Sequence, residues 1–264
     1  MPLEKRKIKL SFNEAIDRQW LKNKPFENHW LNAYVILIPD GERFIIRSCR
    51  KFCDRLSLSL QEDIRGLYFQ EGQHSIQHQH ALQVYRNQGY RIDGFRNLSS
   101  TFCYKIFEPL FPSILALSTA SAIENINACI AEHYLSEIPF LDEANPQMSR
   151  MFAWHFAEEI EHKSVVFDAL TEISANRLLR LIGLIMSLIN FTGQLYLAAF
   201  FLAWQDRSVL QIAFWRDFIS FNFKRGFVGE LLRSSLLYMR KGFHPNKILN
   251  DHLVSRGMET FNNL

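Results

Sequence analysis

An all-α fold, built round a four-helix bundle with additional hydrophobic C-terminal helices, is what this chain predicts, on three observations. Glycine and proline are scarce, at 11 and 8 among 264 residues, and fall mostly between long periodic segments. Within those segments apolar residues recur at helical spacing. Glutamates and histidines, which are expensive to bury, recur one helical turn apart on the stripes that should face inward.

The elements follow in order. Residues 1–39 read as an irregular N-terminal arm, after which "PDGE" opens a helix from about Gly41 to Cys53. A second helix runs from about Leu60 to Asn87 and is stopped by "NQGY". "FPSILALSTASAIENINACIAEHYLSEIP", bounded by Pro112 and Pro139, reads as a third helix of about 24 residues. "DEANPQMSRMFAWHFAEEIEHKSVVFDAL" supplies an N-terminal cap and a fourth, from about Pro146 to Thr171. The expected organisation is therefore an arm (1–39), a helical bundle (40–172) and a C-terminal set of hydrophobic and amphipathic helices (173–264).

That last part has its own character. The 25 residues from Leu181 to Gln205 carry no charge and are long enough to cross a bilayer. Beyond them, Trp215, Phe218 and Phe221 mix with Lys224 and Arg225 as in an interfacial amphipathic helix. Two readings stay open: a helix buried against the bundle, with Gly183 and Gly193 allowing close packing, or a membrane segment. Membrane contact would place an apolar, lipid-like substrate within reach of the bundle.

Composition excludes several classes. Thirty Lys and Arg against 27 Asp and Glu give +3, without the clustered basic face of a nucleic-acid binder. Four cysteines form no Cys-x-x-Cys pair, and the N-terminus lacks the apolar core of a signal peptide. Reduced thiols and a cytoplasmic or cytoplasmic-membrane-associated location are expected, not secretion. The 48% hydrophobic content is enough for a substantial core; the oligomeric state is not legible.

The chemistry lies in two stretches. In "GLYFQEGQHSIQHQH", Glu71 and His74 are three residues apart, about 60° round a helix, and His78 follows one turn later. In "WHFAEEIEHK", Glu159 and His162 repeat the spacing and His155 precedes them on the same face. Glu158 and Glu161 point elsewhere, toward solvent or behind the cluster. Two Glu-x-x-His pairs, with one further glutamate from each of two other helices, is how ferritin-like bundles hold two iron or manganese ions. Glu124, in the apolar "SAIENINA", and Glu42, in "PDGERF", are the candidates for the single glutamates. His78 is a candidate ligand or a partner behind the ligands, or otherwise a core residue, and Asp168 either orients a ligating imidazole or is an exposed helix-end charge. His133 is expected to be solvated and Glu132 to edge toward the site, whereas His29, His244 and His252 lack supporting neighbours.

The segments "IPDGERFIIRSCRKF", "FQEGQHSIQHQ", "TASAIENINACIAEHYL" and "WHFAEEIEHKSVVFD" resemble a bacterial family described as predicted metal-dependent hydrolases, over roughly Pro39 to Asp168. The extra histidine, His155, is similar to the seventh ligand of di-iron arylamine N-oxygenases. The resemblance implies Glu42, Glu71, His74, Glu124, His155, Glu159 and His162 as metal ligands, holding two iron ions with manganese as the alternative. The leading expectation is O₂-dependent oxidation of a small or apolar organic substrate, with O₂ and an external reductant as partners. The alternatives are a two-metal hydrolase and a non-catalytic iron-binding membrane protein.

Overall fold

The computed structural model describes residues 3–12, 16–136 and 144–264. Among them the chain is all-α; a single isolated bridge, Leu21 to Ala144, ties the arm to the segment before the fifth helix. Pro139, expected to bound the third helix, lies outside the described residues.

The first helix, α1 (Pro25–Arg50), starts far earlier than expected and runs straight through Pro39. Proline inside a helix removes a hydrogen bond and crowds the preceding turn, at about 3 kcal/mol. Burial decides the contest: Tyr34, Val35, Ile36 and Ile38 before the proline, and Glu42, Phe44 and Ile45 after it, all face the interior. The arm thus shrinks to the residues before Pro25.

α2 (Leu58–Asn87) ends where Gly89 takes φ +86°, a left-handed conformation that glycine adopts without penalty. The arm lies along α2, held by side-chain amides. Gln70 donates to the Glu4 carbonyl at 3.0 Å, Gln77 to that of Ile8 at 2.7 Å, and Gln88 to that of Ile16 at 2.6 Å. Gln77 also accepts from the Leu10 amide at 3.2 Å.

α3 (Ile92–Ser100) passes into a wide π turn, Thr101–Phe107, before α4 (Ser113–Ser136). α5 (Pro146–Glu161) begins as its sequence dictates: Pro146 is the first residue and Asn145 caps it, accepting from the Gln147 amide at 2.9 Å. The fourth expected helix is in fact two, because the chain turns at His162–Ser164 and resumes as α6 (Val165–Ile173).

α7 (Arg177–Gln205) is capped by Asn176, and its helical ladder widens into a π turn at Leu188–Thr192. One face packs on α4 and α1. Gly183 makes this possible: a Cβ there would lie 2.3 Å from Ser118 Oγ and 2.6 Å from its carbonyl carbon. The C-terminal α8 (Ile212–Ile219), α9 (Phe227–Tyr238) and α10 (His252–Asn263) complete the fold. Their aromatic residues pack back onto the bundle. Phe26 of α1 sits among Tyr196, Phe214, Phe218 and Phe221, with ring centroids 4.9–6.1 Å away. The C-terminal helices therefore share one hydrophobic core with α1, α2, α4 and α5.

Gly183→Ala forces the α4–α7 contact apart and should destabilise the protein by about 1–3 kcal/mol. Gly193, where a Cβ would meet nothing nearer than 3.9 Å, should tolerate alanine with no loss or a small gain. Thermal unfolding of both variants, followed by circular dichroism, checks the contrast.

Candidate metal centre

α1, α2, α4 and α5 each send acidic or imidazole side chains to one interior point. α1 gives Glu42, α2 gives Glu71, His74 and His78, α4 gives Glu124, and α5 gives His155 and Glu159, with His162 at its C-cap. All eight are fully buried, at 0% exposure. Glu71, His74, Glu159 and His162 form one group whose potential ligand atoms lie within 4.8 Å of one another, and Glu42, His78 and His155 form a second.

The geometry separates inner atoms from outer ones. His74 turns Nδ1 inward, 3.5 Å from Glu42, 3.4 Å from Glu71 and 3.8 Å from Glu159. Its Nε2 faces out and donates to Glu158 Oε2 at 3.0 Å. His162 does the same: Nε2 lies 3.8 Å from Glu71 and 3.9 Å from Glu159, and Nδ1 donates to Glu124 Oε2 at 2.8 Å. In each case a carboxylate on the far nitrogen fixes the tautomer and aims the ring. His155 places Nε2 3.1 Å from Glu159 and 2.9 Å from the Tyr34 hydroxyl, with Nδ1 3.3 Å from His78 Nε2.

The inner atoms lack partners. Both carboxylate oxygens of Glu42, Glu71 and Glu159, Oε1 of Glu124, and the inner nitrogens of His74 and His162 are buried with no hydrogen-bond partner among the described residues. Buried polar groups are nearly always paired, and unpaired ones cost stability. So many in one spot, all lone-pair donors and all convergent, fit a cation.

Electrostatics agree. Burial, with the neighbouring Glu71 carboxylate, pushes the Glu42 carboxyl up to about 8. Burial and the charges of Glu71 and Glu124 likewise raise Glu159 well above the usual carboxylate range. Burial opposes protonation of His162, yet Glu124 and Glu159 overcome it and push the imidazole up to about 10. His78 and His155 go the other way, held neutral by burial and by the charge on His74. Without a cation, the cluster keeps its carboxylates only by holding protons.

Several sequence expectations are corrected here. Asp168 orients no imidazole of the cluster; it accepts from His244 at 2.8 Å, with both side chains 36% exposed. His133 is buried and lies 2.7 Å from Glu230 rather than in solvent, and Glu132 accepts from Asn250 instead of approaching the site. Of the two places expected for Glu158 and Glu161, toward solvent or behind the cluster, the structure takes the second. Glu158 is buried behind His74, while Glu161 accepts from Gln70 at 2.9 Å and from Arg6 at 2.7 Å. His29, taken as unsupported, lies 3.0 Å from Asp206. Glu124 belongs to neither ligand group, though its Oε1 has no partner.

Two contributors escape the sequence pattern: Tyr34 and Arg6. Tyr34 falls in the stretch expected to be irregular, although it precedes Glu42 by two turns on what proves to be one helix. Arg6 comes from the arm and donates to Glu158 Oε1 at 3.1 Å. Burial disfavours the Glu158 charge, but His74 and Arg6 together hold this carboxyl below its usual range.

An apolar recess lies beside the cluster, between α1, α4, α7 and the π turn after α3, lined by Leu37, Phe44, Phe107, Ile123 and Phe191 among others. Phe191 also packs edge-on against Tyr34, with ring centroids 6.4 Å apart.

A family model described as "Predicted metal-dependent hydrolase" matches residues 4–248. The match takes in the arm and most of the C-terminal helices, beyond the Pro39 to Asp168 stretch that carries the motifs. No curated protein and no solved structure matches the chain.

Two outcomes follow for metal uptake. Glu42 and His162 must give up protons to become donors, so affinity for Mn(II) should rise with pH between 6 and 8, about ten-fold per unit for each proton displaced. Equilibrium titrations of metal-free protein across that range measure the slope. Glu158→Ala leaves the inner donors in place but frees His74 Nε2, and should weaken metal binding about 10- to 100-fold. The same titration reads it.

Proposed function

The chain belongs to the predicted metal-dependent hydrolase family, and from that membership we propose that it is a metal enzyme of the ferritin-like, carboxylate-bridged kind, oxidising a small apolar organic substrate with O₂ and an external reductant. The seven donors Glu42, Glu71, His74, Glu124, His155, Glu159 and His162 would hold two iron ions, with manganese as the alternative. Once bound, the metal pair would relay electrons from the external reductant to O₂, which no side chain here can do. The observation that carries the reading is the convergence of unpartnered carboxylate oxygens and imidazole nitrogens in a fully buried, thiol-free donor set.

The remaining chemistry belongs to the chain's own side chains. Tyr34 keeps its hydroxyl 2.9 Å from His155 Nε2, so a proton can be held or passed at that atom. Burial, then the charges of Glu159 and Glu42, raise the Tyr34 phenol far above its usual range and keep it protonated. Phe152, Trp154 and Phe156 close the cluster to water. The recess along Leu37, Phe44 and Phe191 offers an apolar substrate a place one side chain away from Tyr34.

The family description favours a second reading, a hydrolase in which two metals activate water. One experiment separates them. Protein from iron-supplemented medium is analysed for metal, reduced anaerobically and exposed to O₂ while oxygen uptake is recorded. The oxidative reading expects about two irons per chain and uptake in proportion to the iron. Bound iron with no oxygen uptake sinks it, and turnover with zinc or magnesium without reductant establishes the hydrolase.

A further inference from the structure

We propose that the outward face of α7, together with the exposed sides of α8, α9 and the π turn after α3, docks on an anionic lipid bilayer, with α7 lying in the plane of the membrane. α7 is long and apolar enough to span a bilayer, yet only 33% of its most apolar window is buried, against 83% for the core helix α4. Its outer side presents Ile189 and Leu197 at 68% and 63% exposure. Phe223 between α8 and α9 stands at 66%, and Leu236 of α9 at 61%. Soluble proteins rarely show large contiguous apolar patches without a partner for them.

Contacts join these elements into one surface. Phe200 of α7 packs against Trp215 and Phe218 of α8, with centroids 5.8 and 5.9 Å apart. Gln194 of α7 donates to Cys103 Sγ in the π turn. At the other end, Arg177 and Arg180 donate to the Met239 and Arg240 carbonyls at 2.9 and 3.0 Å, joining the start of α7 to the end of α9.

The charge around this surface names its occupant. Residues 177–241 contain nine Lys and Arg against three Asp and Glu, a net +6 in a chain whose total is +3. Arg177, Arg207, Arg216, Lys224, Arg233 and Arg240 are exposed. A second copy meeting this face would bring like charge against like, whereas anionic headgroups complement it. Trp204 and Trp215, exposed near the far end of α7, have the amphipathic rings favoured at headgroup depth. A spanning orientation fails on packing. α1 lies along α7, and its Arg43, Arg47 and Arg50 would have to follow α7 into hydrocarbon.

Flotation of the purified full chain tests this, using vesicles of phosphatidylcholine with phosphatidylglycerol and vesicles of phosphatidylcholine alone. The protein should float with the anionic vesicles, much less with the neutral ones, and lose binding in high salt. Ile189→Glu, Leu197→Glu and Phe223→Glu, at exposed positions that supply no metal ligand, should each reduce partitioning about ten-fold, with circular dichroism confirming that they fold. Failure to float with anionic vesicles overturns the proposal. So does a concentration-dependent dimer in sedimentation that the same substitutions dissolve while flotation is unchanged; a second copy would then be the occupant. The readout is independent of metal content and oxygen uptake, so it stands or falls apart from the reaction chemistry.

Discussion

Carboxylates crowded into a dry interior repel one another, and the rest of this fold is arranged to hold them there. Glu42, Glu71, Glu124 and Glu159 come from four helices and are all fully buried. Desolvating an ionised group costs several kcal/mol even after the surroundings relax. Repulsion between neighbours adds to this, which is why protons are retained on Glu42 and Glu159. Only helices packed firmly on one another can keep such groups together; a loop would swing them out to water. The proposed pair of divalent cations would match four carboxylate charges, turning the most unfavourable spot in the molecule into its strongest cross-link.

The supporting structure works from the outside in. Arg6 neutralises Glu158 and Glu158 aims His74, while Glu124 aims His162, so each inner nitrogen points where its outer neighbour sends it. The break after α5 adds a second control on His162. The ring sits at the C-cap, where the helix dipole presents its negative end and favours a protonated or metal-bound imidazole. A helix running on to Thr171, as the hydrophobic pattern suggests, would have fixed the ring by helical geometry alone.

What could be read from the sequence was local periodicity. The Glu-x-x-His spacings at Glu71 and Glu159, and the lone Glu124 among alanines and isoleucines, are visible because one turn of helix is visible. Those residues do meet in space. What could not be read depends on long-range contact. Pro39 looked like a boundary because the local rule against internal proline is sound, and burial along α1 overrode it. Tyr34 disappeared with that misplaced boundary. Arg6 and Glu158 are separated by 152 residues, and nothing in either neighbourhood announces the pair. His133 and Asp168 were misjudged for the same reason, since their partners Glu230 and His244 lie far along the chain, in α9 and in the turn that follows it.

The manner in which α2 grips the arm sets a rule for how that arm can vary. On the arm, Gln70, Gln77 and Gln88 reach carbonyl and amide groups of the main chain, which every residue type supplies apart from the N–H that proline lacks. Exchanging the side chains of Glu4 or Ile8 therefore leaves these ties intact. The path of the arm is tied by three glutamines in and just after a distant helix, and the arm in return lends the guanidinium of Arg6 to Glu158.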